Sequence, residues 1–241
     1  MRDHFLGRSL SQLTNQSLNQ PISQLPINQT LSKSQDQVIN QPVGQLVNPP
    51  VTQHAHNLAE PKLYLYKLDL GGRPWTLIAT GRGICRISFQ HETEETLRDW
   101  AAKTVPGAEI RQDKGPFAEW GAVERMERYF AGQPETFAGI PLDVRGTAFQ
   151  REVWLALGRI PYGEMISYKE LAALVGRPQA MRAVGAANGK NPLPIILPCH
   201  RVIGANGTLT GYRGGLVLKQ ELLELEGITR FTVKGHDRFA F

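Results

Sequence analysis

Along the first sixty residues apolar side chains stand singly, with Leu6, Leu10, Leu13 and Leu18 scattered among Gln, Asn, Ser and Pro, and neither a helical nor a strand period builds up. Such a segment buries too little surface to offset chain entropy, which predicts a disordered tail over residues 1–60. From Pro61 the pattern changes. Leu63-Tyr64-Leu65-Tyr66-Lys67-Leu68 and Trp75-Thr76-Leu77-Ile78-Ala79 read as β-strands joined by a turn at Gly71-Gly72-Arg73-Pro74, and a third strand follows over 84–89. Helical spacing predicts helices over 94–103 and 117–131, the second ending before Gly132. These elements make a small α/β unit over 61–142.

Residues 143–230 read as a second, mostly helical domain, followed by a short tail over 231–241. Thr147-Ala148-Phe149-Gln150 and Ser167-Tyr168-Lys169-Glu170 both fit the capping box, in which a hydroxyl and a carboxyl or amide three residues on satisfy the first free amides of a helix. The helix after Ser167 carries Leu171, Ala172, Leu174 and Val175 and stops at Gly176, with Pro178 beyond. A short helix over 179–188 follows, giving a helix-turn-helix whose second helix is rich in small residues: Ala180, Ala183, Gly185, Ala186 and Ala187. An apolar helix begins near Leu216 and ends near Glu226, just before Gly227. The fold class expected is α/β (α+β).

Charge sharpens this picture. The formal net charge is +5, yet residues 1–60 contribute nothing to it, since Arg2, Arg8 and Lys33 balance Asp3, Asp36 and Glu60. Between residues 160 and 215, Lys169, Arg177, Arg182, Lys190, Arg201 and Arg213 stand against only Glu164 and Glu170. A basic surplus beside a helix-turn-helix points to a polyanionic partner. Two cysteines build no disulfide framework, no apolar stretch approaches the ~18 residues of a membrane span, and the N-terminus lacks the apolar core of a secretory signal, so a cytoplasmic protein without membrane contact is expected. Cysteine and histidine are not spaced as metal ligands, and Cys85 falls in the third strand as a core residue.

The remaining candidate chemistry lies in Leu197-Pro198-Cys199-His200-Arg201-Val202. A thiol reacts as thiolate and needs a base or cation nearby. Adjacent side chains in an extended segment point to opposite faces, so His200 reaches the Cys199 sulfur only through a tight turn or a bridging water. A turn between Pro198 and Gly204 fits that need.

From Thr147 to Glu226 the chain resembles the active-site domain of the O6-alkylguanine-DNA alkyltransferases, the methylated-DNA–protein-cysteine methyltransferases. The resemblance runs, in order, through Gly146-Thr147-Ala148-Phe149-Gln150, Ile160-Pro161-Tyr162-Gly163-Glu164, Ser167-Tyr168, Arg182-Ala183-Val184-Gly185, Asn191-Pro192, Pro198-Cys199-His200-Arg201-Val202-Ile203 and Gly211-Tyr212. It implies a ribonuclease-H-like N-terminal domain and a single-turnover DNA repair protein. Cys199 would take the alkyl group from O6-alkylguanine in double-stranded DNA, with O4-alkylthymine as a further candidate, and would keep it. By the same resemblance Glu226 orients His200, which deprotonates Cys199 through a water. Tyr168 donates to the flipped base, and Asn191 organises the reactive turn. Arg182, on a helix made slim by Ala183 and Gly185, enters the minor groove in place of the extruded base. Pro194 and Tyr212 wall the alkyl pocket, the Val202 backbone reads the exocyclic amine, and the Arg213 amide approaches O6. No cofactor is implied, and a monomer is expected. The bulk of Arg213 bears on the size of alkyl group accepted. A non-catalytic lesion-sensing DNA-binding protein on the same scaffold is the alternative, and a cysteine hydrolase is a poorer fit because adjacent catalytic residues suit it badly.

Overall fold

A computed structural model of the chain describes residues 61–233; the Gln/Asn-rich segment 1–60 and residues 234–241, most of the C-terminal tail, lie outside the described residues. Three long strands open the fold: β1 (Lys62–Leu70), β2 (Arg73–Thr80) and β3 (Gly83–Ser88). They are consecutive antiparallel neighbours. Gly71 and Gly72 both take positive φ, 60° and 68°, and form the tight two-residue hairpin loop that matches strand twist. Leu63, Leu77, Ile78 and Ile84 are buried, so β1 alternates while β2 and β3 are covered more fully.

Helix α1 (Glu94–Thr104) packs Leu97 and Ala101 inward and is capped by the Thr93 hydroxyl. It leads into β4 (Glu109–Gln112), a strand absent from the sequence expectation, which pairs in parallel with β1 and sets the sheet order β3-β2-β1-β4. Its four residues are all exposed, so it carries no apolar alternation to read. The single helix expected over 117–131 is two, α2 (Gly115–Glu119) and α3 (Ala122–Phe130). Gly121 breaks them at φ 66°, a left-handed conformation that ends one helix and starts the next. On α3, Ala122, Val123, Met126 and Tyr129 form the buried stripe.

Residues 141–143 run back along the edge of β3, with the Ile84 amide donating to the Pro141 carbonyl and the Asp143 amide to the Ile84 carbonyl, both at 2.9 Å. Gly83 makes this approach possible, because a Cβ there would lie 2.5 Å from the Pro141 backbone. Both capping boxes form: Thr147 with Gln150 opens α4 (Ala148–Leu157), and Ser167 with Glu170 opens α5 (Tyr168–Leu174). Past α5, Gly176 at φ 69° allows the Gly176 and Arg177 amides to bond the Ala173 and Ala172 carbonyls, a Schellman ending. The chain then turns into α6 (Met181–Gly189), which the Trp154 indole of α4 ties down by a 2.7 Å bond to the Ala187 carbonyl. Ile166–Ser167 and Val202–Ile203 form a short parallel pair, β5 and β6, and α7 (Leu216–Leu225) closes the domain. The main core is continuous from Leu70 and Trp75 through Met126 and Tyr129 to Val153, Leu171, Cys199 and Leu222. Residues 231–233 are held in place, with Thr232 exchanging bonds with Gly207 and Leu209.

Candidate active site

The loop between α6 and Cys199 is folded around one side chain. Asn191 donates from Nδ2 to the Leu197 carbonyl at 2.6 Å and accepts the Leu193 amide on Oδ1 at 3.0 Å. Between these anchors Ile195 adopts φ 73°, a costly conformation for a β-branched residue that persists only where its surroundings impose it. The edge strand of the sheet also grips the loop, since the Ile87 amide of β3 donates to the Pro192 carbonyl at 2.8 Å. Cys199–Arg201 then form one turn of 3-10 helix, the turn expected past Pro198. The tight turn separates the Cys199 side chain from the two that follow it. Cys199 faces a small cavity, while His200 and Arg201 point into the interior toward Glu226.

Glu226 stands at the C-cap of α7, fixed there by a second Schellman ending in which Gly227 (φ 76°) and Ile228 return to the Glu224 and Leu223 carbonyls. It is buried, not solvent-facing as its helix position alone suggests. Its Oε1 accepts from His200 Nε2 at 2.7 Å, Tyr129 Oη at 2.7 Å and Arg201 Nη2 at 3.0 Å; its Oε2 accepts from Arg201 Nε at 2.8 Å and the Gly163 amide at 3.2 Å. Burial alone would raise this carboxyl, but the bonds from His200 and Arg201 outweigh it and bring the pKa to about 2. A carboxylate can only accept, so Nε2 carries the imidazole proton and Nδ1 is left as a bare lone pair. Nδ1 is fully buried and has no hydrogen-bond partner among the described residues. Burial lowers the pKa of His200 against the pull of Glu226, which keeps the ring neutral and able to take a proton.

The Cys199 side of the turn lines a cavity with Phe89, Asn188, Gly189, Asn191, Gly211, Tyr212 and Arg213. Burial pushes the thiol pKa up, while the Asn191 amide and the Arg213 and Lys219 cations pull it down. The resting site therefore pairs a protonated thiol with a neutral base. Lys219, on α7, is wholly buried; its ammonium donates to the Val202 carbonyl at 2.6 Å and the Thr210 carbonyl at 2.9 Å, and burial depresses its pKa to about 8. The Tyr212 hydroxyl is buried without a hydrogen-bond partner among the described residues, and its pKa is raised well above the usual value by burial and by the neighbouring Cys199. Arg213 lays its guanidinium over the Phe89 ring at 4.9 Å and donates to the Asn191 carbonyl at 3.1 Å, so its bulk is drawn toward the α/β unit while still lining the cavity.

Of the residues expected from sequence, Cys199, Asn191, Tyr212 and Arg213 meet at the cavity, and His200 and Glu226 meet behind it. Tyr168, at the start of α5, is mostly buried with Asn188, Thr210 and Cys199 as neighbours. Pro194 is buried in the loop that precedes Cys199 and is not among the residues around this cavity. Arg182 and Ala183 lie exposed on α6, with Gly185 against the Tyr168 ring, where a Cβ would sit 3.6 Å from it. The basic surplus counted over 160–215 is smaller at the surface than in sequence, since Arg201 is buried on Glu226 and Arg177 pairs with Glu152 at 3.2 Å. Sequence reasoning missed Tyr129, Lys219 and the structural part of Arg201. Tyr129 alone carried a local sign, as the last member of the α3 apolar stripe. Cys85 is a buried core residue with its thiol 3.4 Å from the Ile78 carbonyl. Among the described residues no group of three or more His, Cys, Asp or Glu is placed to hold a metal, and no helix is long and apolar enough to cross a membrane.

A buried thiol on a small cavity, with an imidazole–carboxylate pair in the same turn and a helix-turn-helix beside it, defines a class of protein that sets a cysteine against a nucleic-acid-binding scaffold. Family models agree and are narrower: residues 64–144 match the 6-O-methylguanine DNA methyltransferase, ribonuclease-like domain, and residues 148–228 match the DNA binding domain of the same family. The methylated-DNA–protein-cysteine methyltransferase of Mycobacterium tuberculosis is 48% identical over 154 residues, covering 64% of this chain and 86% of that protein. The inducible enzyme of Bacillus subtilis is 42% identical over 167 residues, covering 69% and 92%. The crystal structure of the M. tuberculosis O6-methylguanine methyltransferase superposes with a TM-score of 0.57 at 42% identity, covering 71% of this chain and 96% of that one. The chain belongs to the methylated-DNA–protein-cysteine methyltransferase family.

Proposed function

We propose that this protein repairs DNA by direct reversal, moving the alkyl group of O6-alkylguanine in a duplex onto Cys199, with O4-alkylthymine as a second candidate substrate. The observation that carries the reading is the pairing of a cavity-facing thiol with a base whose free nitrogen, His200 Nδ1, is buried and unpartnered. A bridging water relays the thiol proton to Nδ1, and the imidazolium formed is held by Glu226 through Nε2. The thiolate then displaces the alkyl carbon in line. The carbon–oxygen bond breaks toward O6, and the purine takes up a proton as guanine is restored. Tyr168 supplies a hydrogen bond to the flipped base, the Arg213 amide one to O6, and the Cys199 and Val202 backbone reads the exocyclic amine. The Val202 carbonyl already accepts from Lys219 and has one lone pair left for that task.

Duplex DNA is engaged through α6, with Arg182 filling the space of the extruded nucleotide and Ala183 and Gly185 permitting close approach. One relative in the family, from M. tuberculosis, has been crystallised in complex with DNA; it is 44% identical, superposes with a TM-score of 0.57, and covers 68% of this chain and 92% of that one. The product is a thioether, whose sulfur is a poor leaving group, so each molecule acts once, as a monomer and without a cofactor. Mass spectrometry after mixing with a duplex carrying one O6-methylguanine tests this: a single methyl group on Cys199, stoichiometric with restored guanine, is expected. An unmodified protein that still binds the lesion would favour a non-catalytic lesion sensor.

A further inference from the structure

The α/β unit contributes one group to the relay that the family reading leaves without a role. Tyr129 lies in the last turn of α3, fully buried, with its ring against His200 at a centroid distance of 6.5 Å and against Phe130, Phe137 and Tyr162. Its hydroxyl donates to Glu226 Oε1 at 2.7 Å, the same oxygen that accepts from His200 Nε2, and lies 3.3 Å from Nε2 itself. We propose that Tyr129 is a positioning residue of the alkyl-transfer relay, by which the ribonuclease-like unit sets the orientation and basicity of the Glu226–His200 pair. The inference rests on the reading of His200 as the base for Cys199.

A carboxylate oxygen shared by several donors, here His200, Tyr129 and Arg201, is fixed in plane and direction, and the charge it directs at each donor is reduced. Tyr129 is a durable donor, because burial and then the Glu226 charge hold its phenol well above the ordinary value and hence protonated. Around this pair the titratable and charged groups are Arg201, gripping both oxygens of Glu226; Lys219, which acts on His200; Tyr212, which acts on Tyr129; and Tyr162, whose hydroxyl bonds the Leu225 carbonyl. Arg201 and His200 come from the reactive turn itself. Among the described residues Tyr129 is the one side chain bonded to Glu226 that is drawn from the other unit, so it links the relay to the seating of the two units.

Loss of the hydroxyl has two separable effects. The carboxylate becomes freer to rotate, which slows transfer. It also becomes a stronger partner for imidazolium, which raises the pKa of His200 and moves the acid limb of the pH–rate profile to higher pH. A purely structural tyrosine would give the first effect or neither, and would not move the limb.

The test uses the full chain and single-turnover methyl transfer from duplex O6-methylguanine between pH 5 and 9. Tyr129→Phe keeps the ring packing; a drop of roughly tenfold in rate is expected at neutral pH, the size of one hydrogen bond to a charged group, together with an acid limb displaced upward. Site-specific replacement of Tyr129 by 3-fluorotyrosine, a stronger donor of the same shape, should displace the limb the other way. Nitrogen-15 shifts of the His200 ring give the same titration without turnover. An unchanged profile and unchanged ring titration in folded Tyr129→Phe, or shifts of equal sign in both variants, would overturn the proposal. Failure of the unmodified protein to transfer at all would instead overturn the reading of the site.

Discussion

At the scale of single residues, the proposed nucleophile, Cys199, and the carboxylate of Glu226 differ in what their loss should do, because Glu226 is also a structural group. Cys199→Ala should abolish alkyl transfer while leaving binding to damaged duplex within about twofold, since the thiol contributes a small buried group and no contact to the phosphate backbone; transfer assays and gel-shift titrations check both. Glu226 has a second role in stability. Its folded pKa of about 2 lies below the ordinary 4.5, so it stabilises the protein fully above that ordinary value, and the contribution fades as pH falls toward 2. Glu226→Gln should therefore cost on the order of 3 kcal/mol at pH 6, and the gap from the native protein should narrow steadily below pH 4.5 in urea unfolding. Cys199 and His200 are legible in sequence as a reactive pair. The depth of Glu226, Arg201 and Lys219 is not, because a charged residue is buried only by partners that tertiary structure brings, and nothing within five residues of any of them signals it.

At the scale of elements, caps and punctuation decide what could be read. Thr147 and Ser167 start their helices where the capping boxes say, and Gly176 and Gly227 end theirs. Thr147→Ala should cost about 1 kcal/mol in thermal or urea unfolding, the usual value of an N-cap hydroxyl. The failures have the same local logic. Gly121 sits inside a helical apolar pattern and breaks it, and β4 is four exposed residues whose strand identity comes from parallel pairing with β1. The positive φ of Ile195, in the loop before Cys199, is likewise a conformation that no residue type announces. Exposed on α6, Arg182 gives the clearest test of that element: Arg182→Ala should slow transfer from duplex DNA by tenfold or more, while reaction with a free O6-benzylguanine base changes little, because the free base needs no extrusion. Rate measurements on the two substrates decide it, and equal losses would count against a flipping role.

For the whole molecule, the α/β unit and the helical domain share one core and one polar junction. Phe89 lines the reactive cavity, the Ile87 amide holds the Asn191 loop, Tyr129 reaches Glu226, and Arg73 makes a two-pronged bond to Glu221 of α7 at 2.6 and 2.7 Å. The last of these is half-exposed and adds little; the first three are buried. Unfolding should accordingly be a single transition whether followed at Trp75 in the sheet or at Trp154 in α4, using variants that retain only one of these reporters. Two separated transitions would show that the units are energetically independent. A ribonuclease-like part followed by a DNA-binding part is what the family models match, but the interlock of the two was not legible in sequence, since it depends on contacts between residues more than seventy positions apart.

The Glu226 carboxylate behaves in this fold as a bound metal ion does in a small zinc domain. Among the described residues five donors converge on it from three places in the chain, residue 129, residue 163 and the pair 200–201, none of them adjacent to it in sequence. It is in effect an anionic cross-link, closing loops of 25 to 97 residues at a single point. Unlike a disulfide or a chelated cation, it needs no oxidant and no uptake from outside. Its cost is that the stitching and the proposed proton relay cannot be altered separately: any change that loosens the cross-link also disturbs the imidazole bonded to it.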